Sequence, residues 1–94
     1  MFLDKYLSDI KLKLLYEVYE EEFIDNLDEN NFIEIYNVFK KYGFTYIDDI
    51  IRMYLIIFTY DFEYVEEVLV NIINSLGDDY LSIISKDLRL LSDI

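Results

Sequence analysis

Residues 31–51 read NFIEIYNVFKKYGFTYIDDII, and this stretch decides the fold class. Its apolar side chains recur every three or four positions, which is the spacing of one helix face. Lys40 and Lys41 stand where a helix would end, because cations suit the negative end of the helix dipole. Gly43 can then adopt the left-handed conformation that follows many helix ends, with Phe44 as its apolar contact. The stretch therefore predicts a helix, a glycine stop and a second helix.

The boundaries of these two helices carry their own signals. Asn31 followed by Glu34 has the spacing of a capping box, so the first helix is expected to begin at Asn31. Thr45 is expected to cap the second helix, at about residues 46–58. Residues 46–58 are apolar almost all round, which is typical of a buried central helix.

The same periodicity extends outward in both directions. Three further helices are expected at about residues 4–26, 62–76 and 80–91. Asp61 is the expected N-cap of the helix that ends at Gly77, and Asp78 or Asp79 is expected to cap the last one. The chain is therefore predicted to be all-α, a compact single domain of residues 1–94 built as a bundle of about five helices.

A hairpin of helix, glycine and helix occurs twice, with an offset of 34 residues. Residues 38–47 align with residues 72–81, and Ile50 then aligns with Ile84. An offset of this size is typical of helix-hairpin repeats. Chance similarity between two amphipathic hairpins is the alternative. The tetratricopeptide signature is excluded, because the chain has no Ala or Pro to fill its positions.

The net charge is the most unusual feature of the composition. There are 20 Asp and Glu against 8 Lys and Arg, a formal net charge of -12. An AT-rich genome would enrich Lys as well, so codon usage does not explain the excess of acids. A strong negative field repels nucleic acid and membrane surfaces and attracts basic proteins. We therefore expect a basic partner, with no direct binding of nucleic acid and no membrane.

Hydrophobicity and the length of the apolar runs argue against a disordered, membrane-spanning or secreted protein. A hydrophobic fraction of 54% argues against disorder despite the charge. The longest apolar run, near residues 53–58, is far shorter than the roughly 20 residues needed to span a bilayer. The first residues lack the basic and apolar pattern of a signal peptide. The cytoplasm of a bacterial host is the expected compartment.

The residues needed for most catalytic sites are missing. The chain has no His and no Cys, which excludes Ser-His-Asp and Cys-His catalysis and histidine-based zinc sites. Asp48 and Asp49, like Asp78 and Asp79, open helices, where capping explains them better than acid–base or metal chemistry. We expect no enzyme, no cofactor and no metal. A carboxylate-based hydrolase or cation binder is the least favoured alternative.

The acids are concentrated in two segments that contain no base. Residues 17–34 hold eight acids, and residues 61–79 hold six. Glu17, Glu21 and Asp25 follow one another at helical spacing, so on a single helix they would form one ridge, continued by Asp28. Their rise of about 4.5–6 Å per step resembles the spacing of phosphates along a nucleic-acid strand. The alternative is an ordinary solvated face, although such a face would intersperse Lys to avoid repulsion.

Tyrosine is the second unusual count, at 10 residues. Tyrosine is enriched at protein interfaces, although codon bias and half-buried packing also explain it. The candidate partner-binding acids are Glu17, Glu20, Glu21, Asp25, Asp28, Glu29, Glu63, Glu66 and Glu67. The candidate interface aromatics are Tyr16, Tyr19 and Tyr64.

The last predicted helix has two apolar stripes. One contains Leu81, Ile84, Leu88 and Leu91, and the other contains Tyr80, Ile83, Leu90 and Ile94. One stripe can face the core while the second faces a partner or another copy of the chain. This pattern suggests a homodimer and, as an alternative function, a helical self-assembling adaptor subunit.

The whole profile resembles a class of proteins rather than a motif. A short, helical, very acidic chain without catalytic residues is similar to small phage and mobile-element inhibitors of host defence, namely anti-CRISPR and DNA-mimicking proteins. The resemblance implies a non-enzymatic inhibitor that binds a basic nucleic-acid-handling protein, such as a CRISPR effector or another defence nuclease, and blocks its nucleic-acid groove. An immunity protein for a basic nuclease toxin is the alternative within the same profile.

Overall fold

Helices pack against one another throughout the computed structural model, which describes residues 1–94 and contains no strand. The α-helices are α1 (Asp9–Val18), α2 (Glu21–Asp25), α3 (Glu29–Lys41), α4 (Ile47–Met53), α5 (Phe62–Leu76) and α6 (Tyr80–Lys86). Short 3-10 turns cover Phe2–Lys5, Leu55–Thr59 and Leu88–Leu91. The predicted all-α bundle is confirmed, since five of the six α-helices have at least seven residues.

The core is entirely apolar and centres on α3. Nineteen residues are buried, and none of them is polar or charged. Phe32 stacks on Phe58 with ring centroids 4.8 Å apart, and Phe39 lies 5.9 Å from the same ring. The expected burial of residues 46–58 is confirmed for Ile47, Ile50, Ile51, Leu55, Ile57 and Phe58, whereas Met53 and Ile56 are exposed. Helix α3 thus packs against α4, α5 and the turn Leu55–Thr59.

The end of α3 has the predicted geometry. Gly43 has a φ of 87°, in the left-handed region that favours glycine. The Phe44 N–H donates to the Phe39 carbonyl at 3.1 Å, and the Gly43 N–H donates to the Lys40 carbonyl at 3.0 Å. Phe44 and Phe39 also meet edge to face at 5.4 Å. These contacts make a complete Schellman motif with its apolar pair.

The predictions for α5 are also confirmed, whereas the cap of α6 is different. Asp61 accepts from the Glu63 N–H at 2.8 Å, and Gly77 ends the helix with a φ of 82°. Asp79 precedes α6 as expected, but its side chain accepts no capping hydrogen bond.

The single helix predicted for residues 4–26 is wrong. Ser8 accepts from the Lys11 N–H and starts α1, and the chain is extended at Tyr19 and Glu20 before α2 begins. Leu15 and Ile24 explain the break. They are nine residues apart, so one continuous helix would place them about 180° apart. With the break, both are buried in the core.

Two other predicted helices are shorter than expected. Residues 46–58 divide into α4 and a 3-10 turn, because the Leu55 N–H donates to the Tyr19 hydroxyl at 3.2 Å instead of continuing the helix. The last predicted helix stops at Lys86. Asp87 is extended, and its side chain accepts from the Arg89 N–H to start the final turn.

Two predicted caps are wrong as well. Helix α3 begins at Glu29, and its cap is Asp28, whose carboxylate accepts from the Asn31 N–H at 3.0 Å. Asn31 therefore lies inside the helix, where its side chain is free for other contacts. Thr45 does not cap α4, which begins at Ile47 after Tyr46 without a side-chain cap.

Both predicted hairpins are present, as α3–α4 and α5–α6. Tyr46 and Tyr80 lie 34 positions apart, at the start of α4 and of α6. The Tyr46 hydroxyl donates to the Leu81 carbonyl at 2.7 Å, and the Tyr80 hydroxyl donates to the Tyr42 carbonyl. Each hairpin therefore holds the other through a tyrosine in the equivalent position.

Deprotonation of the Tyr46 hydroxyl is expected to lower the free energy of unfolding at alkaline pH. Burial, assisted by the neighbouring Tyr80, raises the pKa of Tyr46 to about 12. The unfolded chain loses this proton near pH 10, so the contribution is complete below about pH 10 and is lost as pH rises to about 12. We expect up to about 2 kcal/mol of stability to disappear across that window.

Tyr46→Phe tests this dependence by urea unfolding at several pH values. The substitution should cost about 1 kcal/mol at neutral pH, because the bond to Leu81 is lost, and should make the alkaline fall shallower. Tyr64→Phe is the control, since Tyr64 is exposed. An unchanged alkaline slope in Tyr46→Phe would show that other groups cause the fall.

Candidate partner-binding surface

Most carboxylates of the chain have no ion-pair partner. Of the 20 acids, only Asp4, Asp48, Asp49, Glu66 and Asp87 lie within 4.0 Å of a positive group, which leaves fifteen unpaired. None of the eight acids in residues 17–34 is paired. The negative charge is therefore carried on the surface, where it acts on the surroundings of the molecule.

The continuous acidic ridge predicted for one helix is wrong. Glu17 lies on α1, Glu21 and Asp25 lie on α2, and Glu20 lies in the extended junction between them. The break at Tyr19 and Glu20 changes the direction of the chain, so helical spacing no longer aligns these side chains. The acids remain exposed, but they form a broken surface rather than a regular row of phosphate-like charges.

Three of the predicted partner-binding acids have contacts within the protein. Asp25 accepts from the Tyr16 hydroxyl at 3.3 Å, and Asp28 caps α3. Glu66 is half-buried and accepts from the Lys41 ammonium and the Tyr42 hydroxyl, both at 2.7 Å. The bond from Lys41, followed by that from Tyr42, lowers the pKa of Glu66. Glu66 therefore joins α3 to α5.

The two acidic segments meet at one end of the bundle. The Asn31 amide, in the first turn of α3, donates to the Phe58 and Tyr60 carbonyls, both at 2.9 Å. Tyr60 directly precedes Asp61, the N-cap of α5, so the starts of α3 and α5 are neighbours. We call this region the acidic end, and it consists of Asp28, Glu29, Asp61 and Glu63. Of the remaining predicted acids, Glu67 lies further along α5 and is exposed.

The predicted interface aromatics have different environments. Tyr19 is engaged internally, because its hydroxyl donates to the Met53 carbonyl at 3.3 Å and accepts from the Leu55 N–H. Tyr16 is half-buried, and burial followed by the nearby Asp25 raises its pKa. Tyr64 is 46% exposed and lies edge to face with Tyr60 at 6.0 Å. Only Tyr64 presents much of its ring to solvent.

Of the two carboxylate pairs, Asp48 and Asp49 connect two helices, whereas the side chains of Asp78 and Asp79 make no hydrogen bond or ion pair. Lys11 of α1 binds both Asp48 and Asp49 of α4, and the hydrogen bond to Asp48 is the main cause that raises the pKa of Lys11. This ion pair fastens α1 to α4. No group of three or more acids is arranged to hold a metal ion.

An apolar groove is the feature that the sequence reasoning missed. Between α1, α4 and the last turn lies a groove of about 510 Å³, whose apolar lining includes Leu14, Val18, Met53 and Leu88. Val18 is 72% exposed and Met53 is 48% exposed, while Ile10, further along α1, is 74% exposed. The sequence contains a signal for this groove, because Ile10, Leu14 and Val18 recur every four residues on one face of α1, while the buried Leu15 lies on another.

The apolar face predicted for the last helix is largely covered. Tyr80, Leu90 and Ile94 are half-buried and pack against the core, and only Ile83 is exposed, at 36%. The helix also ends at Lys86, so Leu90 and Ile94 do not belong to it. The observation that suggested a homodimer through this helix is therefore absent.

No protein-family model matches the chain, and neither a curated protein nor a solved structure resembles it significantly. None of its helices is both long and apolar enough to cross a bilayer.

Proposed function

We propose that the chain is a non-enzymatic inhibitor that binds a basic nucleic-acid-handling protein, such as a CRISPR effector or another defence nuclease, and covers its nucleic-acid groove. The observation that carries the proposal is the unpaired charge: fifteen carboxylates lack an ion pair, and residues 17–34 contain no base. In this proposal the protein acts in the cytoplasm of a bacterial host.

The surface charge supports this partner on physical grounds. A groove that binds a phosphate backbone is lined with Lys and Arg, and an acidic protein can pair with the same side chains. Long-range attraction also speeds encounter and is screened by salt, with a Debye length of about 10 Å at 0.1 M. The break after Val18 argues for a general acidic surface rather than for mimicry of evenly spaced phosphates.

The first experiment identifies the partner and its salt dependence. The tagged protein is incubated with a lysate of a low-GC bacterium that carries defence systems, and retained proteins are eluted with increasing salt and identified. We expect a basic nucleic-acid-binding protein that elutes as salt rises. The purified partner should then release labelled nucleic acid when the acidic protein is added. A partner that keeps its nucleic acid fully bound would contradict the proposal.

Charge reversal tests which acids make the contact. A variant that combines Glu17→Lys, Glu21→Lys and Asp25→Lys should no longer bind the partner, because each substitution replaces an attraction with a repulsion. Its helical content should be unchanged. The matched control reverses Asp9, Asp78 and Asp93, which are also exposed and unpaired. Both variants have the same net charge. Full binding by the first variant would exclude the surface of residues 17–34.

A further inference from the structure

We infer that the groove between α1, α4 and the last turn receives an amphipathic helix of the target protein, with its apolar side in the groove and basic residues along its edge. The inference rests on the proposed function, since it describes how the same basic partner is held. We call this region the α1 groove, lined by Leu14, Val18, Met53 and Leu88.

The exposed apolar face of α1 is about as long as two turns of a bound helix. Ile10, Leu14 and Val18 lie four residues apart along one face, so they cover about 12 Å at 1.5 Å per residue. Helix-in-groove recognition uses anchors with this repeat, at about two turns of the bound helix. Ile10 and Val18 are each more than 70% exposed, so the bound helix would cover apolar surface that now contacts water.

The charges around the α1 groove select a basic occupant. Glu17 lines the groove without an ion pair, and Glu20, Glu21 and Glu22 follow within four residues of Val18 in the sequence. The one base in the lining, Arg52, lies 3.7 Å from Asp49, which reduces its effect on an incoming cation. Lys or Arg on a bound helix would meet the unpaired Glu17 carboxylate in the groove.

The same charges disfavour a second copy of the chain. Two molecules that each carry a net charge of -12 repel one another. A basic amphipathic helix satisfies both the apolar lining and the acidic edge.

Titration with three synthetic peptides tests the occupant. One peptide forms a helix with a leucine face and a lysine–arginine face. The second keeps the basic face but replaces leucine with serine, and the third keeps leucine but has an acidic face. The readout is the NMR signals of the intact protein. We expect only the first peptide to shift the signals of Leu14, Val18 and Met53.

Val18→Glu then tests the location of the site. Affinity for the first peptide should fall about tenfold or more, because burial of one valine-sized side chain is worth that factor. Ile83→Glu is the matched control. Ile83 is also exposed but does not line the α1 groove, so its replacement should leave the affinity within about twofold.

Several outcomes would overturn the inference. Equal binding of the serine peptide would show that charge alone binds, which agrees with the proposed function but excludes the groove. Equal binding of the acidic peptide would exclude a basic occupant, and no binding of any peptide would exclude a helix. A dimer in sedimentation that Val18→Glu dissociates would identify a second copy as the occupant. Displacement of nucleic acid from the partner is measured separately, so the proposed function can fail or survive independently.

Discussion

Phe32→Ala is expected to lower the free energy of unfolding by about 3–5 kcal/mol, the usual cost of removing a fully buried phenylalanine ring. Phe32 has no exposed surface, and its ring lies 5.2 Å from Phe2, 5.1 Å from Tyr6 and 4.8 Å from Phe58. The substitution therefore weakens the attachment of the N-terminal segment to α3 as well as leaving a cavity. The melting temperature should fall by roughly 12 °C or more.

Phe62→Ala provides a matched control for the same chemical change. Phe62 is 37% exposed at the first position of α5, so its removal should cost less, about 1–2 kcal/mol. Urea unfolding of both variants, followed by circular dichroism, measures the difference. Similar losses for Phe32→Ala and Phe62→Ala would contradict the arrangement of the core described above.

Asn31→Asp is expected to cost about 2–3 kcal/mol, although acids near the start of a helix usually stabilise it. The Asn31 amide donates to two carbonyl oxygens, those of Phe58 and Tyr60. A carboxylate can donate to neither and would repel both. The loss also removes the connection between the starts of α3 and α5, so the acidic end should become more mobile.

Asn30→Asp changes the charge equally at the adjacent position. Asn30 is exposed, and its substitution should change stability by less than about 0.5 kcal/mol. Comparison of the two variants by urea unfolding separates the hydrogen bonds of Asn31 from a general effect of charge. If Asn31→Asp were as stable as Asn30→Asp, the amide bonds to Phe58 and Tyr60 would contribute nothing to the fold.

The features that the sequence predicts correctly depend on neighbouring residues. The end of α3 is one example, because all its contacts are formed within the six residues 39–44. Helix α5 is another, with Asp61 at its start and Gly77 at its end. Caps and glycine stops act within one turn of the chain, so the order of residues is sufficient to locate them.

The breaks in the predicted helices do not follow from neighbouring residues, because they depend on contacts between distant parts of the chain. The break after Met53 depends on the Tyr19 hydroxyl, which accepts from the N–H of Leu55, 36 positions further along the chain. The start of α3 differs from the prediction for a similar reason, because the Asn31 side chain donates to the Phe58 and Tyr60 carbonyls instead of capping the helix. The helical spacing of apolar residues continues through such breaks. It therefore shows which residues are apolar but not where the helix axis changes direction.

The candidate surface also has features that the sequence predicts and features that depend on the fold. The acidic segments are evident from composition, and their exposure follows because unpaired charges are rarely buried. Their arrangement depends on the break between α1 and α2, which the predicted ridge ignored. Some apolar residues of α1 are exposed, although their spacing predicts burial. Ile10, Leu14 and Val18 have core-like spacing, and only the packing of Leu15 against the core shows that they face outward.

The reciprocal bonds of Tyr46 and Tyr80 also constrain the order in which the two hairpins can assemble. Their acceptors, Leu81 and Tyr42, lie 35 and 38 positions away from them. Each bond therefore forms only when both hairpins have met, and Phe44 gains its contact with Tyr80 at the same step. A chain cut before α6 would lack both bonds and the ring that packs beside Phe44, so its α3–α4 hairpin would present an aromatic surface to water.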